Sequence, residues 1–143
     1  MHATALVLGD SGVLITGPSG SGKTRLALAL IDRFVLQQRF ARLVGDDQLF
    51  VAARGGRLVA SCPSTIAGLA EVRGVGPRPL PILASAVIDL VIRLIPECEA
   101  PRLPDPSSET IAGIAVPRLD LPSRNVIAAS LAVTAWLAAP PFS

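Results

Sequence analysis

Lysine occurs once, at position 23, tyrosine does not occur, and aromatic residues make up only 3% of the chain. The shortage of aromatics means that a core must be filled by Ala, Val, Leu and Ile. With a net charge of +2 and arginines scattered singly along the sequence, the chain lacks the clustered cations whose counterion release drives nucleic-acid binding. Cysteine is nearly absent too. Cys62 and Cys98 stand far apart without metal-ligand spacing, a pattern expected of free core thiols rather than of a disulfide framework. The first ten residues hold no Lys or Arg and their apolar run ends at Asp10, which excludes a secretory signal. The longest uncharged stretch, Val126 to Ser143, is Ala-rich and broken by Pro140 and Pro141, too short and too weakly hydrophobic for a membrane span. The expectation from these features is a cytoplasmic protein.

What is present is one globular domain. Half of the 143 residues are apolar and 17% charged, enough to bury about two-thirds of the unfolded surface around a single core. Residues 1–143 are therefore expected to form one unit. His2 to Leu8 and Val13 to Thr16 read as strands joined by the tight turn Gly9-Asp10-Ser11-Gly12. Arg25 to Val35 carries helical character without Gly or Pro. Leu43-Val44, Leu49 to Ala53 and Leu58 to Ala60 read as short strands, the last two separated by Arg54-Gly55-Gly56. The glycines and prolines from Gly74 to Pro81 predict an ordered loop. Ala84 to Ile95 is tilted to strand by its β-branched residues, and Ile111 to Val116 is a further strand. Pro101 to Pro106 reads as a surface connection, and a final helix over Arg124 to Ala139 takes Ser123 as N-cap and stops at Pro140. The fold class is α/β with a mixed sheet and a larger β share than a simple doubly wound sheet.

Between the second strand and the first helix lies Gly17-Pro18-Ser19-Gly20-Ser21-Gly22-Lys23-Thr24. This is the spacing of a phosphate-binding loop, in which glycines let backbone N–H groups turn inward around phosphate oxygens. Lys23 is expected to reach the β- and γ-phosphates of ATP, and the Thr24 hydroxyl to bind Mg²⁺. Phosphoryl transfer also needs a carboxylate for the metal and a group that takes the proton of the nucleophile. Asp46-Asp47, at the end of a short strand, supplies both. Adjacent strand residues point to opposite faces, so the pair can divide the work. No Leu-Ser-Gly-Gly segment points to an ABC ATPase, and no Asn-Lys-x-Asp motif to a GTPase.

Taken in order, His2, the loop at 17–24, Asp46-Asp47 and Glu71-Val72-Arg73-Gly74-Val75-Gly76 resemble the bacterial HPr kinase/phosphorylase family over nearly the whole chain, corresponding to its catalytic domain. The resemblance implies a P-loop fold of the HPr kinase and PEP carboxykinase-like type. It also implies ATP-dependent phosphorylation of a serine on the phosphocarrier HPr or a nitrogen-branch homologue, with reversal by phosphate to release pyrophosphate, and a hexameric homo-oligomer. By the same resemblance, Glu71 joins Thr24 and Asp46 as a metal ligand. Asp47 or Asp46 is the proton acceptor, with Asp47 favoured; His2, Lys23, Arg73 and Arg102 belong to the catalytic set. Arg124 and Asn125 fall in the family's dephosphorylation segment. The chain is read as departing from the family in four ways: without the usual amino-terminal domain, with Thr24 for the commoner serine, with Ser123 for glycine, and with an insertion at Leu36 to Phe40. Two other readings of a P-loop chain are a small-molecule kinase and a regulator that senses nucleotide without turning it over.

Overall fold

The computed structural model describes residues 1–62, 83–99 and 107–138 in full, and the backbone alone of Leu69–Val72 and Gly76–Pro79. Strands β1 (Thr4–Leu8) and β2 (Ser11–Thr16) form an antiparallel hairpin about Gly9-Asp10, with Leu8 opposite Ser11. Next come α1 (Lys23–Leu36), β3 (Ala41–Gly45), β4 (Phe50–Arg54) and β5 (Arg57–Ser61). The hairpin of β6 (Leu69–Val72) and β7 (Gly76–Pro79) is followed by β8 (Ser85–Val87) and β9 (Leu90–Ile95). The described chain closes with β10 (Ser107–Ile111), β11 (Ile114–Pro122) and α2 (Val126–Ala138).

Six strands form one mixed sheet in the order β10-β11-β9-β2-β1-β3. The pairs β2–β9 and β9–β11 are parallel and the others antiparallel. Side-chain alternation gives the sheet two apolar faces. Leu6, Leu8, Val13, Ile15, Leu90, Ile92, Leu119 and Leu121 pack beneath α1 and α2. Ala5, Leu14, Val44, Val91 and Val116 pack against Leu58, Ala60 and Ile88, which belong to the three-stranded sheet β4-β5-β8 and the residue just after it. The loop strand β2 is thus central and covered on both sides. Gly12 allows the two sheets to meet here, since a Cβ on it would lie 1.8 Å from the Val87 carbonyl oxygen.

Helix α1 buries Leu26, Ala27, Leu30 and Phe34, an i, i+4, i+8 stripe with one flanking residue. It ends in a Schellman motif: Arg39 donates its backbone N–H to Phe34 O at 2.9 Å and Gln38 donates to Val35 O at 2.9 Å. Gln38 takes the left-handed conformation, φ 58°, that glycine usually supplies. The Arg39 guanidinium lies 4.2 Å from the Phe34 ring centroid. The apparent extension at Leu36 to Phe40 is therefore a helix stop.

Several sequence expectations change. Gly76–Pro79 is a strand rather than a loop, pairing with Leu69–Val72 so that Glu71 lies opposite Pro77; a two-stranded sheet has edges where proline's missing N–H does no harm. The stretch Ala84 to Ile95 divides between two sheets, β8 in one and β9 in the other. Ile111 to Val116 contains the turn of a hairpin, because Ala112 and Gly113 both take positive φ, 51° and 80°, as a two-residue I′ turn requires. The N-cap of α2 is Asn125, not Ser123: Asn125 Oδ1 accepts the Ala128 N–H at 3.2 Å, while the Ser123 N–H is tied to Ile95 O at 2.7 Å. Cys98 is exposed rather than in the core, and Cys62 is half-buried, where burial pushes its thiol pKa up. Among the described residues no helix is long and apolar enough to cross a membrane.

Two stability measurements check this account. Phe34→Ala removes a fully buried ring from the principal core and is expected to cost about 3–5 kcal/mol in a denaturant titration. Asn125→Ala should cost about 0.5–2 kcal/mol through loss of the cap, with Ser123→Ala leaving the midpoint nearly unchanged; equal effects would return the cap to Ser123.

Candidate active site

The segment Gly17–Thr24 leaves the C-terminal end of β2 and enters α1 directly. Gly20 and Gly22 hold positive φ, 80° and 96°, which residues with a Cβ rarely adopt. A Cβ on Gly17 would lie 2.7 Å from Ser21 Oγ and 3.2 Å from Leu94, so glycine is needed there for space as well. Gly22 caps α1 without a side-chain hydrogen bond, and no acidic residue stands in the first turn. The helix therefore presents uncapped N–H groups and its positive dipole end, an arrangement suited to an anion. Lys23 Nζ donates to the loop's own carbonyls, Gly17 O at 2.8 Å and Pro18 O at 3.2 Å. These contacts hold the ammonium over the loop.

Asp46 is the centre of the polar cluster. Thr24 Oγ1, on the first turn of α1, lies 2.9 and 2.8 Å from its two carboxylate oxygens. Thr4 Oγ1, on β1, donates to Oδ1 at 2.6 Å. A one-residue irregularity in the β1–β3 pairing arranges this meeting. Leu8, Val7 and Leu6 pair with Ala41, Arg42 and Leu43, but Ala5 pairs with Gly45, so Val44 is an extra residue. Continued from Ala5 and Gly45, the shifted register brings Asp46 opposite Thr4. Without it Asp46 would oppose Ala3, whose side chain is on the other face, since a slip of one residue exchanges faces.

Asp46 and Asp47 do divide, but by a turn rather than by strand alternation. β3 ends at Gly45. The Gln48 N–H donates to Asp46 O at 2.9 Å around Asp47, which takes φ 72°. Asp is among the few non-glycine residues that tolerate this conformation. The turn sends Asp47 outward, its side chain 78% exposed, with Oδ1 3.7 Å from His2 Nδ1. His2 is held near it because Met1 and Leu49 exchange backbone hydrogen bonds at 2.9 and 3.0 Å.

Arg124, from the sequence just before α2, closes the other side. Its N–H donates to Ser21 O at 3.2 Å and its Nε approaches Gly20 O at 3.4 Å, with φ 61°. The cleft between these groups, about 1030 Å³, is lined by Gly22, Lys23, Thr24, Asp46, Asp47 and Arg124 among others. On β9, Arg93 lies in register with Thr16, the residue before the loop, and is held by Asp120 through bonds of 3.1 and 2.7 Å. Those bonds raise the pKa of its guanidinium further.

The structure thus gathers residues of the 17–24 loop, Asp46, Asp47 and Arg124 around one cleft, with His2 beside Asp47 and Asn125 at the adjoining helix cap. Arg73 and Arg102 lie outside the described residues, and Glu71 is described only as backbone in β6. No group of three or more His, Cys, Asp or Glu side chains suited to a metal occurs among the described residues. Magnesium does not require one: a hydroxyl and a single carboxylate, as at Thr24 and Asp46, suit an ion that keeps several waters and takes its other ligands from phosphates. The sequence reading missed Thr4, whose only signal is a hydroxyl inside the apolar run Ala-Thr-Ala-Leu-Val-Leu.

Comparison with known proteins covers nearly the whole chain. The model of the HPr serine kinase C-terminal domain matches residues 1–136. An HPr kinase/phosphorylase of Limosilactobacillus reuteri (strain DSM 20016) is 34% identical over 137 residues, covering 87% of this chain and 41% of that protein. One from Clostridium tetani (strain Massachusetts / E88) is 38% identical over 92 residues, covering 63% and 28%. The chain spans less than half the length of these curated relatives. Among solved structures, the HPr(Ser) kinase/phosphatase from Coxiella burnetii superposes with a TM-score of 0.81 at 31% identity, covering 96% of this chain and 95% of that one. A P-loop between a central strand and a helix, faced by paired aspartates and matched along residues 1–136, identifies the chain as a member of the HPr serine kinase C-terminal domain family.

Proposed function

We propose that this chain is a cytoplasmic kinase that transfers the γ-phosphoryl group of ATP to a serine of HPr or a nitrogen-branch homologue, and reclaims it with inorganic phosphate. The observation that carries the reading is the split of the aspartate pair at the P-loop: Asp46 turned in to Thr24 and Asp47 turned out to the cleft mouth.

In the forward reaction Lys23 and the loop N–H groups hold the β- and γ-phosphates. Thr24 and Asp46 would hold Mg²⁺, with Glu71 as a further ligand by family likeness; the chemistry it would supply is neutralisation of phosphate charge. Asp47 takes the serine proton as the serine oxygen bonds to phosphorus and the bond from phosphorus to the β–γ bridging oxygen breaks, releasing ADP. His2, close to Asp47, supports its orientation. Arg73 and Arg102 are assigned to charge neutralisation on the same likeness, as donors aimed at the transferred group. In reverse, an oxygen of inorganic phosphate bonds to the phosphoserine phosphorus as the bond from phosphorus to the serine oxygen breaks, forming pyrophosphate, and Asp47 returns the proton to the serine oxygen. Arg124, bound to the loop carbonyls, and neighbouring Asn125 are assigned to that direction.

The exposure of Asp47 favours a protein acceptor over a small metabolite, which would need a shielded pocket. Assembly of several copies is part of the same proposal and is supported by the exposed Ile127 and Leu131 on α2. A native mass measurement tests it, and a monomer at working concentration would count against it.

The activity is tested by incubating the purified protein with Mg-ATP and HPr and mapping phosphate by mass spectrometry. Lys23→Ala is expected to abolish incorporation, and Asp47→Asn to slow it about 10²–10⁴-fold while nucleotide still binds. Unchanged phosphorylation by Lys23→Ala would sink the site. Nucleotide binding without turnover on any carrier would make the chain a sensor, and phosphorylation of a metabolite instead would make it a small-molecule kinase. Pyrophosphate formed from phosphorylated HPr and phosphate tests the reverse direction separately.

A further inference from the structure

We infer that Thr4 is a positioning residue of the site: its hydroxyl fixes the orientation of the Asp46 carboxylate and thereby sets the affinity for magnesium-bound nucleotide. The inference rests on the reading of the cleft as an Mg-nucleotide site.

Thr4 is 0% exposed in a strand whose other residues, Ala5 to Leu8, are all apolar. A buried hydroxyl is costly unless bonded. A valine of nearly the same shape would fill the position without that cost, so the hydroxyl calls for an explanation beyond packing. Its partner is Asp46 Oδ1, at 2.6 Å. Asp46 follows the end of β3, and Gly45 before it has no side chain, so backbone pairing alone does not set the Asp46 side-chain torsion. Two hydroxyls set it together. Oδ1 receives Thr4 and lies within reach of Thr24, whereas Oδ2 has Thr24 alone. Oδ2 therefore keeps more of its acceptor capacity, and Asp46 lines the cleft. A hydroxyl has one proton and two lone pairs: Thr24, donating its proton to Asp46, keeps lone pairs for a cation. Thr4 stands on the far, buried side of the carboxylate and holds it in place.

The β1–β3 bulge supplies a second reason to treat this contact as built. The extra residue Val44 interrupts a regular ladder and shifts the register so that, continued, Asp46 comes opposite Thr4. Bulges that re-aim a side chain are common beside active sites, and partners that orient a metal ligand are worth about 10–100-fold in metal affinity.

The test is a titration of a fluorescent ATP analogue against the full chain, once with excess Mg²⁺ and once with EDTA, with a thermal melt for each variant. Thr4→Val should weaken binding in Mg²⁺ about 10-fold or more and leave binding in EDTA within about twofold of the parent. Thr4→Ser, which keeps the hydroxyl, should restore the Mg²⁺ value to within about threefold. Equal losses in Mg²⁺ and in EDTA, or no loss in either, would overturn the role. Should Thr4→Val fail to fold, Thr4→Ala is measured in the same way against Thr4→Ser, and the same comparison decides. A parent chain that binds no nucleotide in Mg²⁺ would instead overturn the proposed function. A parent whose affinity rises with Mg²⁺ equally in Thr4→Val would overturn the Thr4 assignment alone.

Discussion

The Asp46 carboxylate, reached by one threonine from β1 and another from α1, is the constraint on which the site depends. It ties β1, α1 and the turn after β3, which lie in two layers, and it does so where the glycine loop turns from strand into helix. The contact is possible because the β1–β3 ladder gains a residue at Val44. A regular ladder would have served the sheet equally well and sent the carboxylate to the wrong face.

The rest of the architecture holds this junction still. β2 lies between β1 and β9 and is packed on both faces, by the helices on one side and by the three-stranded sheet on the other. Its last residue therefore has little freedom, and the loop that follows inherits a fixed origin. Two further ties come from distant sequence: Arg124 donates to the carbonyl of Ser21, and Met1 pairs with Leu49 to bring His2 toward Asp47. A loop that presents N–H groups to an anion needs such support, because its backbone sits in conformations most residues avoid. The cluster is rigid around Asp46 and open around Asp47, an arrangement suited to a site that holds one reactant firmly and meets the other at its mouth.

How much of this was legible in the sequence varies with how local the cause is. The strand, glycine loop and helix were readable because spacing and turn chemistry act within a few residues. The Asn125 cap was missed because Ser123 has the same propensity, and the tie of Ser123 to Ile95 that decides between them is not local. The hairpin at Ala112-Gly113 was missed because alanine seldom takes positive φ. The sequence of Gly76–Pro79 reads as a loop because its two prolines look like turn punctuation; its pairing with Leu69–Val72 reflects edges that tolerate them. His2 carries no periodicity or motif of its own, and only likeness to a family singled it out.

The sequence by itself determined that a glycine loop of phosphate-binding spacing would form at Gly17 to Thr24, that the fold would be α/β with a large β share around an aliphatic core, and which family the chain belongs to. Those follow from residue type and spacing, which act locally or recur as a pattern. Only the tertiary structure decided which aspartate faces Thr24 and which faces outward, that a buried threonine steadies the first, and that Arg124 closes on the loop. Each depends on a register shift or a positive-φ turn, and such features move a side chain between faces without changing a residue.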